Sequence, residues 1–172
     1  MKRDKVVVVD EKDVVLGEME KMEAHYKGAL HRAFSIIILN ENGEMLLQQR
    51  ALSKYHSPGL WTNACCSHPQ LNESYRSGAE ERLMAELGFT VSLLEVHHFI
   101  YKARFDNGLT EHEFDRVFLG TYNGNIAFNK DEVEAIKWVS LEQLYADMQA
   151  LPHHYTEWFK ILMTENKRNK FI

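Results

Sequence analysis

The stretch His31-Arg32-Ala33-Phe34-Ser35-Ile36-Ile37-Ile38-Leu39 runs from a histidine into an unbroken apolar segment and stops at Asn40-Glu41-Asn42-Gly43. Apolar residues at both odd and even positions predict a strand buried on both faces, and the Asn/Gly-rich tetrapeptide predicts a turn. Glu44 to Arg50 reads as the next strand, so the pair is predicted to form a β-hairpin. On the N-terminal side, Val6–Val9 is a short β-branched run with Val14–Met19 as its expected hairpin partner. On the C-terminal side, Ser74 to Leu87 has Tyr75, Ala79, Leu83 and Leu87 at i+4 steps, and Gly88 stands where a helix-terminating glycine belongs. Strand patterns follow at 90–96, 99–105, 114–122 and 134–139, then helical patterns at 141–149 and roughly 155–166. Strands around one central helix, with helices at the end, predict an α/β (α+β) fold in which a mixed sheet is layered with helices.

The 172 residues fit one domain, expected over 1–172, with enough chain to bury a core without disulfides. A hydrophobic content of 45% with 26% charged residues is that of a globular protein. The net charge of −5 argues against a general nucleic-acid binder, although a local anion site stays open. The first residues, MKRDKVVVVDEKD, hold an apolar run too short for a secretory signal, and no run approaches the roughly 20 apolar residues that span a bilayer. The only two cysteines, Cys65 and Cys66, are adjacent and pair only in a strained ring. These features predict a reduced, cytoplasmic protein, with a monomer favoured.

The chemistry gathers around Thr62-Asn63-Ala64-Cys65-Cys66-Ser67-His68-Pro69. On an extended backbone, i and i+2 side chains share a face, so Cys66 and His68 point to one side and Cys65 to the other. Glu111 and Glu113 have the same relation. With His25 and His31, placed in loops or at strand edges, these groups make an N/O set suited to a divalent metal. Two other readings stay open from the residues alone: nine scattered histidines also serve as ordinary surface groups, and a free cysteine also serves as a small buried hydrophobe.

Leu30-His31-Arg32-Ala33-Phe34-Ser35, Gln49-Arg50-Ala51-Leu52-Ser53-Lys54, Pro58-Gly59-Leu60-Trp61-Thr62-Asn63 with Cys66 and His68-Pro69-Gln70, Arg82, Glu86-Leu87-Gly88, Glu111-His112-Glu113, Asp131-Glu132-Val133 and Trp138 together resemble the type 1 isopentenyl-diphosphate isomerases, whose fold is that of the Nudix hydrolases. The resemblance runs from about residue 5 to 168. It implies interconversion of isopentenyl and dimethylallyl diphosphate in isoprenoid biosynthesis. Cys66 falls on the catalytic cysteine, Glu113 on the second catalytic group and Tyr101 on a tyrosine hydrogen-bonded to it. The implied metal site comprises His25, His31, His68, Glu111 and Glu113, holding manganese or zinc. Glu86 is implied to help hold a magnesium ion that arrives with the substrate. Lys21, Arg50, Lys54 and Arg82 are implied to hold the diphosphate, and Trp158 to face the isoprenoid tail.

The chemistry fits that implication, since an unactivated alkene must be protonated and a proton removed elsewhere through a tertiary-carbocation-like species. Glu113 with Tyr101 is expected as the acid and a Cys66 thiolate as the base. Trp158, with Trp61 as a second candidate, is expected to stabilise the cation by its ring face. A hydrolase of this fold instead carries Gx5Ex7REUxEExGU. Here Ser67 stands at the first glycine, and Glu73, Glu86 and Gly88 survive. The REUxEE core reads Glu81-Arg82-Leu83-Met84-Ala85-Glu86, with the Arg-Glu order inverted and an alanine for one acid. Nudix-type diphosphate hydrolysis is therefore the second reading. A redox or closed metal module is a third; it predicts C-x-x-C spacing or four closed ligands, which the sequence lacks.

Overall fold

The computed structural model describes residues 3–172, so Met1 and Lys2 of the expected 1–172 domain lie outside the described residues. In chain order the elements are β1 (Lys5–Val9), β2 (Val15–Glu20), α1 (Lys21–Lys27), β3 (His31–Leu39), β4 (Met45–Arg50), β5 (Trp61–Thr62), β6 (Cys65–Ser67), α2 (Tyr75–Leu87), β7 (Leu94–Arg104), β8 (Thr110–Thr121), β9 (Val133–Val139), α3 (Leu141–Ala150) and α4 (Glu157–Asn169). A short 3₁₀ turn, Pro152–His154, joins the last two. The strands form one mixed sheet, as predicted.

β3 is the centre of that sheet, and its double-sided burial explains the layering. Phe34, Ile36 and Ile38 join Ala79, Leu83 and Leu87 of α2 in one core, while Ile37 joins Phe159, Leu162 and Met163 of α4 in the other. The sheet is thus sandwiched, and α2 does what its i+4 apolar stripe predicts. Its ends are set locally. Ser74 accepts from the Ser77 N–H, and Gly88 closes the helix at φ +74°, where a Cβ would lie 2.5 Å from the Ala127 carbonyl.

The predicted β1–β2 hairpin forms, with Val6 opposite Met19 and Val8 opposite Gly17. The predicted β3–β4 hairpin does not extend beyond its turn. The two strands pair only at Leu39 and Met45, beside a turn in which Asn40 Oδ1 accepts from the N–H groups of Asn42 and Glu44. Beyond it they splay, because each finds a longer partner: β8 runs parallel to β3 from His31–Glu113 to Leu39–Thr121, and β9 runs antiparallel to β4. The gap is filled by residues 61–67. There β5 pairs with β4, β6 pairs with β3, and the Asn63 amide donates to Ile36 O and Cys65 O, each at 3.0 Å. The strand patterns at 90–96 and 99–105 prove to be one strand, β7; a bulge between Glu95 and His97 breaks its alternation.

An N-terminal latch ties this frame down. Arg3 donates to both carboxylate oxygens of Glu73 at 2.8 Å, to Glu81 and to the backbone oxygen of His68 at 3.0 Å. The Lys21 N–H donates to Asp4 O at 2.8 Å. Among the described residues no helix is long and apolar enough to cross a membrane.

Leu83 is fully buried where α2 meets β3. Leu83→Ala is expected to lower unfolding free energy by about 2–5 kcal/mol, measured by urea denaturation; an unchanged midpoint would show that α2 does not carry the core.

Candidate active site

Odd-numbered residues of β3 and β8 face α4, but α4 covers only part of that face. Ile37 and Val117 lie beneath its apolar side. At the opposite end of the same strands, His31 and Ser35 of β3 and Glu111, Glu113 and Asp115 of β8 point the same way past the start of the helix. Register aligns them: Glu113 lies between His31 of β3 and Tyr101 of β7, and Ser35 lies opposite Cys66 of β6. The cavity there, about 640 Å³ including its mouth, is lined by Lys21 and His25 of α1, Arg50, Lys54, Tyr55 and His56, Cys66 and His68, Tyr101, Glu111, Glu113 and Trp158, among others.

The five residues grouped from the sequence converge. His25, His31, His68, Glu111 and Glu113 each offer a ligand atom, all within 4.8 Å of one another. His25 sits on α1 rather than in a loop, and Gly28 in the left-handed region ends that helix. His31 Nδ1 lies 2.8 Å from Ala29 O, which assigns its proton to Nδ1 and leaves Nε2 a lone pair facing the cluster. The Nε2 atoms of His25 and His31 are buried without a hydrogen-bond partner. Nitrogen and oxygen donors crowded in this way, with unpartnered lone pairs, fit a divalent cation.

Burial dominates the electrostatics. It pushes His25 down to about 3 and His68 down to about 4, helped for His25 by the neighbouring histidines. Burial likewise drives His56 down to about 4, with Arg50 and Lys21 adding to it. Burial alone would raise Glu113, but the neighbouring imidazoles, His31 with Nε2 at 3.6 Å and His68 hydrogen-bonded to Oε1 at 3.0 Å, outweigh it and hold the carboxylate well below its usual range. Glu111 is raised by burial and then by the Glu113 charge. Tyr101, its phenol likewise raised by burial and by Glu113, donates to Glu113 Oε2 at 2.6 Å.

Cys65 packs into the α2 core, and Cys66 faces the cavity. Cys66 Sγ lies 3.0 Å from Asn63 Oδ1 and 3.5 Å from Ser35 Oγ, whose hydroxyl donates to Asp115 Oδ2 at 2.7 Å. Burial, followed by the Asp115 charge, pushes the thiol far up, so this environment keeps the proton on sulfur where the sequence reading expects a thiolate. Ser35, Asn63 and Asp115 carry no role in the sequence reading; each lies one strand or one turn from Cys66, which only the fold reveals.

Of the cationic residues, Lys21, Arg50 and Lys54 line the cavity and Arg82 does not. Arg82 pairs with Glu86 at 2.9 Å, and the other Glu86 oxygen accepts from Gln48, also at 2.9 Å. Glu86 is likewise outside the cavity lining. Glu132 pairs with both Lys54 and Arg82, which links the two regions. Trp158 lines the cavity, with Nε1 donating to Thr62 Oγ1. Trp61 does not line it, which removes it as a partner for a carbocation in this cavity; Lys137 Nζ lies 4.2 Å from its ring centroid.

Residues 29–159 match the NUDIX domain family. The chain is 45% identical over 155 residues to "Isopentenyl-diphosphate Delta-isomerase 2" of Aromatoleum aromaticum, covering 90% of this chain and 82% of the relative. It is 41% identical over 165 residues to the isopentenyl-diphosphate Delta-isomerase of Serratia proteamaculans, covering 96% and 92%. The chain belongs to the isopentenyl-diphosphate Delta-isomerase family within the NUDIX fold. A Deinococcus radiodurans protein structure superposes at a TM-score of 0.75 with 18% identity, covering 91% of this chain and 96% of that one, which supports the fold alone. Family membership fits the fate of the hydrolase acids here. Glu73 is engaged by Arg3, Glu86 by Arg82 and Gln48, and Ala85 stands where the hydrolase box has a carboxylate.

His25, His56 and His68 are neutral when folded and take up protons near 6.5 when unfolded. Between pH 6.5 and about 4 the unfolded chain therefore binds more protons, and stability rises with pH. Metal-free protein is expected to lose stability as pH falls through that window, and His68→Gln to flatten the slope; equal slopes in urea melts at several pH values would contradict the buried neutral imidazole.

Proposed function

We infer that this protein interconverts isopentenyl and dimethylallyl diphosphate, and that Cys66 and Glu113 are its proton-handling pair. The carrying observation is their placement in one cavity from strands on the two edges of β3. Two strand spacings separate their backbones laterally, roughly 10 Å, which leaves room for a small alkene between the side chains.

One group adds a proton to the terminal alkene carbon, and the other removes one from the carbon two positions along, past the cationic centre. The reverse reaction exchanges the roles, so each group serves as acid and as base. In the ligand-free site the proton sits on Cys66 Sγ and Glu113 is a carboxylate steadied by the Tyr101 hydroxyl. Asn63 and Ser35 fix the sulfur against the cavity wall. Trp158 places a large ring beside the site of transient positive charge, at roughly 0.5–2 kcal/mol for such a contact. Burial of the walls excludes water that would trap the cation.

His25, His31, His68, Glu111 and Glu113 would hold manganese or zinc. Such an ion supplies Lewis-acid charge that favours the ionised form of the carboxylates it binds. Lys21, Arg50 and Lys54 are proposed to receive the diphosphate, with Arg50 as the forked donor and the lysines as point charges. The diphosphate is proposed to arrive as its magnesium chelate, with Glu86 and Arg82 acting through the Glu132 link to Lys54. Diphosphate hydrolysis is the weaker reading, because the surviving acids of the hydrolase box are already engaged in ion pairs.

The test is proton NMR of isopentenyl diphosphate with protein and magnesium in heavy water. Loss of exomethylene signals and deuterium at the allylic positions is expected. Cys66→Ala and Glu113→Gln are each expected to slow turnover by about 10²–10⁴-fold, while Cys65→Ser keeps most of it. Release of phosphate or pyrophosphate without an allylic shift would overturn the assignment in favour of hydrolysis.

A further inference from the structure

We propose that His56 is a positioning residue for the metal-ligating carboxylate Glu111: its buried Nε2, aimed at Glu111 Oε1, closes a hydrogen bond to that oxygen when the ion binds and leaves Oε2, the oxygen on the His25 side, for the ion. The inference rests on the metal reading of the five-residue cluster, and His56 is not one of those five.

The ring is fixed from several directions. It stacks on Trp158 at 5.4 Å between centroids and 20° between planes, and meets the edge of Phe105 at 5.0 Å and 86°. Its backbone carbonyl accepts two bonds from the Arg50 guanidinium, at 3.1 and 3.0 Å. The loop between β4 and β5 therefore cannot swing the imidazole away without breaking the seat of Arg50 as well.

Held this way, His56 Nε2 lies 3.3 Å from Glu111 Oε1, while His25 Nε2 lies 3.8 Å from Glu111 Oε2. The carboxylate is bracketed by one imidazole on each oxygen. Nε2 of His56 is fully buried, and in the metal-free site its 3.3 Å approach to Glu111 Oε1 stops short of a completed hydrogen bond, an unfavourable state for a buried polar atom. A nitrogen kept there at that cost, beside a carboxylate that must present one chosen oxygen, has the geometry of a group that orients a metal ligand. The stack extends the effect, because Trp158 and Arg50 rest against the same ring and carbonyl.

The test uses the full-length protein, stripped with chelator, and manganese as the probe. Manganese binding is followed by electron paramagnetic resonance without substrate, beside kcat and KM at saturating manganese and thermal midpoints with and without the ion. His56→Phe keeps the aromatic stack and removes the N–H; it is expected to weaken manganese binding by about 10–100-fold with KM for the diphosphate little changed. His56→Gln returns a donor and is expected to recover most of that loss. If the replacement only harms folding, both thermal midpoints fall together, whereas a positioning loss shrinks the manganese-induced rise. Wild-type affinity in His56→Phe, or an equal fall of both midpoints with no loss of affinity, overturns the proposal, as does a raised KM with manganese binding intact, which would make His56 a diphosphate contact. A wild-type protein that takes up no manganese or zinc would instead remove the metal reading itself.

Discussion

The parallel pairing of β3 with β8 is the constraint on which the rest of the molecule depends. Its register sets His31 beside Glu113, and the antiparallel pairing of β8 with β7 sets Glu113 beside Tyr101. One row across three strands thus supplies a buried imidazole, a buried carboxylate and the hydroxyl that donates to it. Because strand side chains alternate, a slip by one residue would turn Glu111, Glu113 and Asp115 to the face where Phe114 packs on Val7 and Val9, and bring Phe114 to the cavity face. The apolar demands of the two cores forbid that slip: Val117 belongs with Ile37 under α4, and Phe118 with Ile36 under α2. The hydrophobic pattern therefore fixes the geometry of the polar cluster, although no apolar residue belongs to it.

That arrangement carries a cost that an apolar cavity would not. Three imidazoles and two carboxylates are removed from water at one end of the sheet, with two buried ring nitrogens in the cluster left unpartnered. Burial holds His25 and His68 neutral and drives the acids apart, Glu113 ionised and Glu111 favouring its proton. A cluster poised in this way is frustrated without a cation and satisfied by one, so ligand binding and local stability are two aspects of one free energy.

Much of this was legible in the residues, for reasons that can be named. The two-sided burial of β3 shows in the Ile36-Ile37-Ile38 run, and α2 announces itself by period and caps. The i, i+2 rule separates Cys66 from Cys65 and joins Glu111 to Glu113 before any coordinates are known. What stayed hidden is mostly short or non-local. The seven residues of α1 and the strands β5 and β6 are too brief for periodicity to show. The splaying of β3 from β4 depends on partners some 80 residues away, and the bulge in β7 disguises one strand as two. Arg82 and Glu86 were brought to the site by resemblance alone; the fold pairs Arg82 with Glu132 and Glu86 with Gln48. His56 carried no signal beyond its place two residues after Lys54.

The same scaffold shows how a hydrolase architecture accommodates a different chemistry. Water activation in the hydrolase box depends on acids clustered on one helix; here inversion of the Arg-Glu order places Arg82 one turn before Glu86, where it becomes a salt-bridge partner rather than a bystander. Glu73, the other survivor, is captured by Arg3 and so helps fasten the N-terminal strands over the loop that carries His68. The two surviving carboxylates fasten the segment that carries Cys66 and His68: Glu73 through Arg3 to His68 O, and Glu86 through Gln48 to Ala64 O. Proton transfer to carbon needs such a place: a dry, rigid cavity with two proton-handling groups on separate walls, held by strands and not by mobile loops. One acid of the box is lost to Ala85, and the two that remain, Glu73 and Glu86, are held in pairs with Arg3 and Arg82.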